Sequence, residues 1–168
     1  MTPLSAVHVG RLFEATMLKR LAHEGCTLAP LGGAFDQCVD LAGVWLPPLH
    51  PVPPWPGDAV QLLCSPLPPA VGLPLVVQCK ATRSAAGVAT LREFVHAVAS
   101  RFPANTLAVL ACTGGFAWRS LRREREWATR DVLLLHTTPG GGLLGLMHLR
   151  AMGGVERLPT AFSSRPLA

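Results

Sequence analysis

Polar side chains that could bind a metal ion and activate water lie in two short apolar segments of the chain. Asp40 belongs to the segment 36–41, and Gln78 and Lys80 belong to the segment 76–80. Alternate residues of a β-strand share one face, so we expect Gln78 and Lys80 to point the same way. A carboxylate, an amide oxygen and an ammonium group would be costly as part of a core, because unpaired buried charges are strongly disfavoured. The combination indicates a metal-dependent hydrolytic site.

A further acidic residue, Glu14, lies in a helix predicted from Ser5 to Glu24, which Ser5 can cap. At 100° per residue, Glu14 falls on the same arc as Met17 and Leu21 and is therefore an acid on an apolar helix face. Glu14 has a structural interpretation, as a partly exposed residue at the edge of the apolar stripe or an acid paired with a core-side arginine, and a functional one, as a metal ligand or a residue that positions one. The presence of Asp40 and Lys80 favours the functional interpretation.

The order of these motifs resembles the PD-(D/E)XK nuclease superfamily, and within it the Mrr-type restriction endonucleases, whose second motif carries Gln in place of an acid. The matching residues are Gly10 with Phe13 and Glu14, the stretch from Gly32-Gly33 to Leu41, Gln78-Cys79-Lys80, and the helix that opens after Gly87. The chain is also similar to fungal mitochondrial respiratory-growth proteins that carry an Mrr-like domain. The resemblance covers the larger, amino-terminal part of the chain. It implies a metal-dependent DNA endonuclease and a mitochondrial location.

Phosphodiester hydrolysis fits the residue types of this site. A divalent ion lowers the pKa of a bound water and polarises a phosphoryl oxygen, and oxygen ligands suit Mg²⁺ or Mn²⁺. Asp40 would be the principal ligand, Gln78 would offer its amide oxygen or orient a water, and Glu14 would add negative charge. Lys80 would stabilise charge on the phosphate. The alternative for Lys80 is a solvent-facing strand lysine, which its apolar surroundings make less favoured.

Arginines near the site and on a later predicted helix could contact phosphates, and such contacts position a nucleic acid without reading its bases. They are Arg83, Arg92, Arg119, Arg122 and Arg123. Glu124 and Glu126 interrupt the later group, so a solvated helix face with internal ion pairs is an equal alternative there. The expected partner is DNA, duplex or branched. The resemblance adds a homodimer as one way to cut both strands.

Composition limits the protein class without deciding its function. The chain has 168 residues, 49% of them apolar, which suits one folded domain with a single core. The net charge of +5 fits an anionic partner, but so small an excess is also common in proteins that bind no nucleic acid. The five cysteines form no CxxC pair and are expected to be buried, reduced thiols, which points to a reducing compartment. No apolar run is long enough for a membrane span.

Strands that alternate with helices predict an α/β fold, with a mixed sheet flanked by helices in three layers. This arrangement agrees with the restriction-endonuclease-like core that the resemblance implies. We assign residues 1–152 to that domain, with a proline-rich insertion at 47–74 that holds a short strand at 59–64, and residues 153–168 to a loosely packed extension. The predicted strands are 26–31, 38–46, 75–81, 106–112 and 131–136, and the later predicted helices are 87–101 and 116–129. For residues 143–152 the pattern does not separate helix from strand.

A non-catalytic module is the alternative function. A chain can keep the nuclease fold and serve only in nucleic-acid binding or assembly, because fold does not fix function. Gln78 supports this alternative, since a neutral ligand holds a metal ion more weakly than a carboxylate. Serine or cysteine catalysis is unsupported, because the sequence has no Gly-x-Ser-x-Gly elbow and no convincing Cys–His pair.

Overall fold

The structure is a computed structural model that describes residues 5–31, 38–46, 72–117, 121, 130–149 and 155–158. The predicted strand at 59–64, most of the predicted helix at 116–129 and most of the extension lie outside these residues, as do Arg119, Arg122 and Arg123. None of the described helices is both long and apolar enough to cross a membrane.

Two helices and seven strands make up the described fold. Helix α1 spans Ala6–His23 and helix α2 spans Val88–Arg101. The strands are β1 Cys26–Pro30, β2 Leu41–Trp45, β3 Leu73–Lys80, β4 Leu107–Cys112, β5 Val132–Thr137, β6 Leu143–Leu149 and β7 Val155–Leu158. The protein is therefore a mixed α/β fold, as the sequence predicts.

All seven strands form one sheet in which the spatial order is the chain order, β1 to β7. The pairs β3–β4 and β4–β5 are parallel, and the other four pairs are antiparallel. Helix α2 provides the crossover between β3 and β4, as a parallel pair requires. The carboxyl ends of β3, β4 and β5 consequently lie together at one end of the sheet.

The two helices pack on opposite faces of this sheet. Phe13, Met17 and Leu21 of α1 form a core with Leu75 and Val77 of β3. Leu91, Phe94, Val95 and Val98 of α2 form a second core with Val76 and its neighbours in register, Ala108 and Val132. Because strand residues alternate between faces, Gln78 and Lys80 belong to the α2 face and Cys79 belongs to the α1 face.

The observed elements differ from the predicted ones mainly at their ends. Helix α1 begins after Ser5, whose Oγ accepts a hydrogen bond from the His8 N–H at 3.3 Å, so the predicted cap is confirmed. Phe116, near which a helix was predicted to begin, forms a parallel bridge with Ala86, and the Leu121 N–H donates to the Ala117 carbonyl at 3.1 Å, so the helical bonds begin just after Phe116. Within the predicted extension, residues 155–158 pair with β6. The segment from residue 143, for which the sequence did not separate helix from strand, is a strand as far as Leu149. It pairs with β5 on one side and with β7 on the other.

Candidate active site

Asp40 lies immediately before β2 and is fixed by three hydrogen bonds. Its N–H donates to the Val77 carbonyl at 2.9 Å, its carbonyl accepts from the Leu31 N–H at 2.8 Å, and its Oδ2 accepts from the Cys79 N–H at 2.5 Å. The N–H groups of a strand lie in the plane of the sheet. The Asp40 carboxylate therefore lies near that plane, just before the start of β2. The predicted strand began at Cys38. The observed strand begins three residues later, because Cys38 has a φ of 68° and cannot continue it.

Asp40 is hydrogen-bonded to Val77 and to Cys79, the two neighbours of Gln78 in β3. Asp40 therefore lies beside Gln78, as the sequence predicts. The Gln78 side chain is only 2% exposed. Its Oε1 has no hydrogen-bond partner in the described structure. A buried amide oxygen without a partner costs free energy, and groups of this kind require an explanation such as a ligand or an ion.

Glu14 approaches the same strand end from the other face of the sheet. It is half-buried on α1, which packs on the face that carries Cys79. Burial raises the pKa of the Cys79 thiol well above its ordinary value, and the negative charges of Asp40 and Glu14 raise it further. Both carboxylates are therefore close enough to act on one thiol. Alternation along β3 directs the Gln78 side chain to the face opposite to that of Glu14.

Lys80 is the last residue of β3 and shares the α2 face with Gln78, as predicted. It is half-buried at the end of the strand. Its carbonyl accepts hydrogen bonds from the Thr82 and Thr113 N–H groups, each at 3.1 Å. These bonds fix the backbone of Lys80 on both sides.

The loops that follow β3 and β4 are joined to one another beyond the ends of the strands. The Thr113 hydroxyl donates to the Thr82 carbonyl at 2.8 Å, and the Ala86 N–H donates to the Gly115 carbonyl at 2.8 Å. A side chain at Gly114 would collide with the Ser84 carbonyl oxygen, which explains the glycine at this position. The loops therefore form a fixed rim around Lys80. Arg83 is exposed on this rim, and Arg92 is exposed on α2.

The donors at this strand end fit a small, oxygen-preferring cation. The described residues include no group of three or more His, Cys, Asp and Glu side chains arranged to hold a metal ion. Mg²⁺ needs only one or two protein carboxylates, because it keeps several waters. Asp40 and Glu14 are the candidate carboxylates, and the unpartnered Gln78 Oε1 is a candidate neutral oxygen on the α2 face, opposite to Glu14. Asp40 lies near the sheet plane and can therefore be reached from either face.

Comparisons of the chain with known protein families, with curated proteins and with solved structures found no match.

Two residues of this region were missed by sequence reasoning. Cys79 was interpreted only as an apolar filler, yet the charges of both Asp40 and Glu14 contribute to raising the pKa of its thiol. His136, near the end of β5, was interpreted only as a strand boundary. Its register partner is Cys112, whose own partner on β3 is Lys80. The signal that could have identified His136 is a polar residue at the end of an otherwise apolar strand in a parallel set.

Proposed function

We propose that this protein is a metal-dependent endonuclease that hydrolyses phosphodiester bonds of DNA, built on a restriction-endonuclease-like core. The observation that carries the proposal is the Asp40 carboxylate held on the Cys79 N–H, beside a buried Gln78 whose Oε1 lacks a partner. A fold under no functional demand gains stability by replacing such a glutamine with an apolar residue.

Each residue has a separate task in the proposed reaction. Asp40 and Glu14 concentrate negative charge at the end of β3, where a divalent cation would be held. Gln78 would offer its amide oxygen to that cation or to a water on it. Lys80 stabilises the charge that develops on the scissile phosphate, since a preorganised cation acts strongly where water is scarce. Mg²⁺ or Mn²⁺, when bound, would supply an activated water and polarise the phosphoryl oxygen.

Substrate binding would rely on the rim of the site. Arg83 follows the site strand and Arg92 lies on α2, and both side chains are exposed to an approaching phosphate backbone. Contacts of this kind bind DNA without regard to sequence and weaken as salt rises. A duplex or branched DNA is the substrate that this arrangement suits best. A homodimer would allow both strands to be cut.

Cleavage of supercoiled plasmid and of labelled single-stranded and branched DNA, with Mg²⁺, Mn²⁺ or EDTA, tests the proposal. Asp40→Asn keeps an oxygen that can accept from Cys79 but removes the charge, and we expect a loss of about 100-fold or more in cutting. Lys80→Ala should lose a similar factor. Lys19→Ala is the matched control, because Lys19 is exposed on α1. Cutting that survives EDTA, or that persists in Asp40→Asn and Lys80→Ala, would contradict the proposal.

A non-catalytic nucleic-acid-binding or assembly module is the second candidate. It is favoured by the division of the site, with the Gln78 side chain on the α2 face and Glu14 on the α1 face. Under this alternative, wild type, Asp40→Asn and Lys80→Ala would cut none of the substrates with any ion. Equal DNA affinity in all three proteins would then support the binding module.

A further inference from the structure

His136 occupies the same row of the sheet as Lys80. Lys80 is in register with Cys112 of β4, and Cys112 is in register with His136 of β5. Register partners of neighbouring strands point to the same face, so all three side chains lie on the α2 face. The row also lies at the carboxyl ends of three parallel strands, the usual place for ligands in open α/β sheets.

The imidazole of His136 lies against the turn that follows β4. Gly115 has a φ of 74°, and a side-chain carbon there would be 3.2 Å from both Cε1 and Nε2 of His136. A glycine is thus required by both the backbone conformation and the closeness of the ring. On the other side, Gly145 of β6 is the register partner of His136 and leaves the ring room.

The hydrogen-bonding groups at this position have no partner of their own. His136 is half-buried and forms no hydrogen bond or ion pair within the described part of the chain. The N–H groups of Gly114 and Gly115 likewise have no acceptor among the described residues. Gly114 and His136 are half-buried and Gly115 is buried, so the N–H groups of Gly114 and His136 are the donors within reach of an anion at this strand end.

We propose that His136 and the Gly114-Gly115 turn contact a second phosphate of the substrate strand. The proposal rests on the endonuclease function and extends it. Adjacent strands are about 4.8 Å apart, so the backbones of Lys80 and His136 are separated by about 10 Å. The rise of a duplex is about 3.4 Å per nucleotide along its axis, and successive phosphates of one strand are about twice as far apart because the strand winds around that axis, so the row spans about one to two phosphate steps. The substrate strand therefore crosses the ends of β3, β4 and β5 in that order, with the scissile phosphate at Lys80.

Fluorescence anisotropy with labelled single-stranded and duplex DNA in EDTA tests this path without requiring cleavage. We expect His136→Ala to lower the affinity about ten- to 100-fold, the effect of one lost hydrogen bond to a charged group. His136→Gln keeps an N–H donor of similar reach and should remain within about twofold of wild type. His23→Ala is the matched control. His23 is exposed at the end of α1, which leads into the start of β1, and the start of β1 is at the opposite end of the sheet from the carboxyl end of β3.

The outcomes separate this inference from the function on which it rests. Wild type that binds DNA while His136→Ala binds equally well overturns the second contact and leaves the endonuclease intact. Equal losses in His136→Ala and His136→Gln, with unchanged thermal unfolding, also overturn it, because the N–H donor would then be irrelevant. Wild type that binds no DNA in EDTA overturns the second contact, and it overturns the endonuclease itself only if plasmid cutting with Mg²⁺ or Mn²⁺ is also absent. Weak binding by His136→Ala alone, with rescue in His136→Gln, supports the contact.

Discussion

Gln78 and His148 are both polar side chains buried within the same sheet, at 2% and 1% exposure, but their surroundings differ. The Nε2 of His148 on β6 lies 3.3 Å from the Asp131 carboxylate, which precedes β5. The Oε1 of Gln78 on β3 has no partner in the described structure. Within the described residues, His148 has an electrostatic contact with a carboxylate rather than a hydrogen bond, whereas no donor reaches the Oε1 of Gln78.

This difference separates a structural polar residue from a candidate functional one. A buried histidine beside a carboxylate can contribute to folding, because the pair offsets part of its desolvation cost. A buried amide oxygen without a partner only costs stability, unless a ligand or an ion completes it. Gln78 also lies beside Asp40 and two residues from Lys80. His148 lies in the half of β6 that pairs with the start of β5, far from the carboxyl ends of β3, β4 and β5. The comparison is the reason that we propose the carboxyl end of β3 as the functional site.

Replacement of His148 should give the largest change in stability. We expect His148→Ala to lower the free energy of unfolding by about 2–4 kcal/mol, because it leaves a cavity and removes the partner of Asp131. Urea unfolding followed by circular dichroism measures this loss. Cutting per folded molecule should stay at the wild-type level. A selective loss of cutting would instead give His148 a role in the reaction and erase the contrast with Gln78.

Replacement of Gln78 should raise the free energy of unfolding, whereas replacement of His148 lowers it. Gln78→Met keeps the length of the side chain and removes the unpartnered oxygen, so we expect the free energy of unfolding to rise by about 1–2 kcal/mol. The same variant should lose DNA cutting, since the neutral ligand is gone. Parallel unfolding and cleavage measurements check both effects. A variant less stable than wild type would show that the amide oxygen is satisfied in the native protein and that Gln78 is structural.

Addition of Mg²⁺ should also distinguish Gln78 from His148, through a smaller change in the free energy of unfolding. Millimolar Mg²⁺ is expected to stabilise wild type by about 1 kcal/mol, because a ligand that binds only the native state stabilises it. Gln78→Met and Asp40→Asn should show a reduced shift, whereas His148→Ala should show the full one. Thermal unfolding with Mg²⁺ and with EDTA gives the comparison. Equal shifts in all four proteins would place the ion elsewhere.

An ionisable group away from the site provides the smallest test. Burial, and to a lesser extent the charge of Glu24, raises the pKa of the Cys26 thiol from 9.0 to about 12. The native state therefore keeps a proton that the unfolded state loses, so the stability present below pH 9.0 falls as the pH rises toward 12. Relative to Cys26→Ala, wild type should lose about 1 kcal/mol more between neutral pH and about pH 10. Parallel pH profiles of the two proteins would contradict this.

Local patterns predicted the helices and strands well, because their signals are short-range. Ser5 and the apolar periodicity located α1, and the β-branched run at 75–81 located β3 to within two residues. The start of β2 was predicted wrongly, since nothing in the sequence marks Cys38 as a residue with positive φ. The strand from Leu143 could not be recognised, because only its pairing with β5 distinguishes it from a helix.

The candidate site was predictable only in its residue types. The alternation of Gln78 and Lys80 gave their common face, and the motif order gave the proximity of Asp40 to β3. That the Gln78 side chain and Glu14 lie on opposite faces depends on which face α1 covers, a tertiary property. The row that joins Lys80 to His136 depends on the registers of two parallel pairs, and residues far apart in sequence carry no local signal of their alignment.

The identity of spatial and chain order in the sheet also bears on how the protein is made. Each strand from β2 to β7 pairs with the strand that precedes it in the sequence, so no strand must wait for a later one before it can pair. Chains emerge from the ribosome slowly compared with the pairing of neighbouring strands. The sheet can therefore grow vectorially during synthesis, one edge at a time, with each new edge covered by the next segment to emerge.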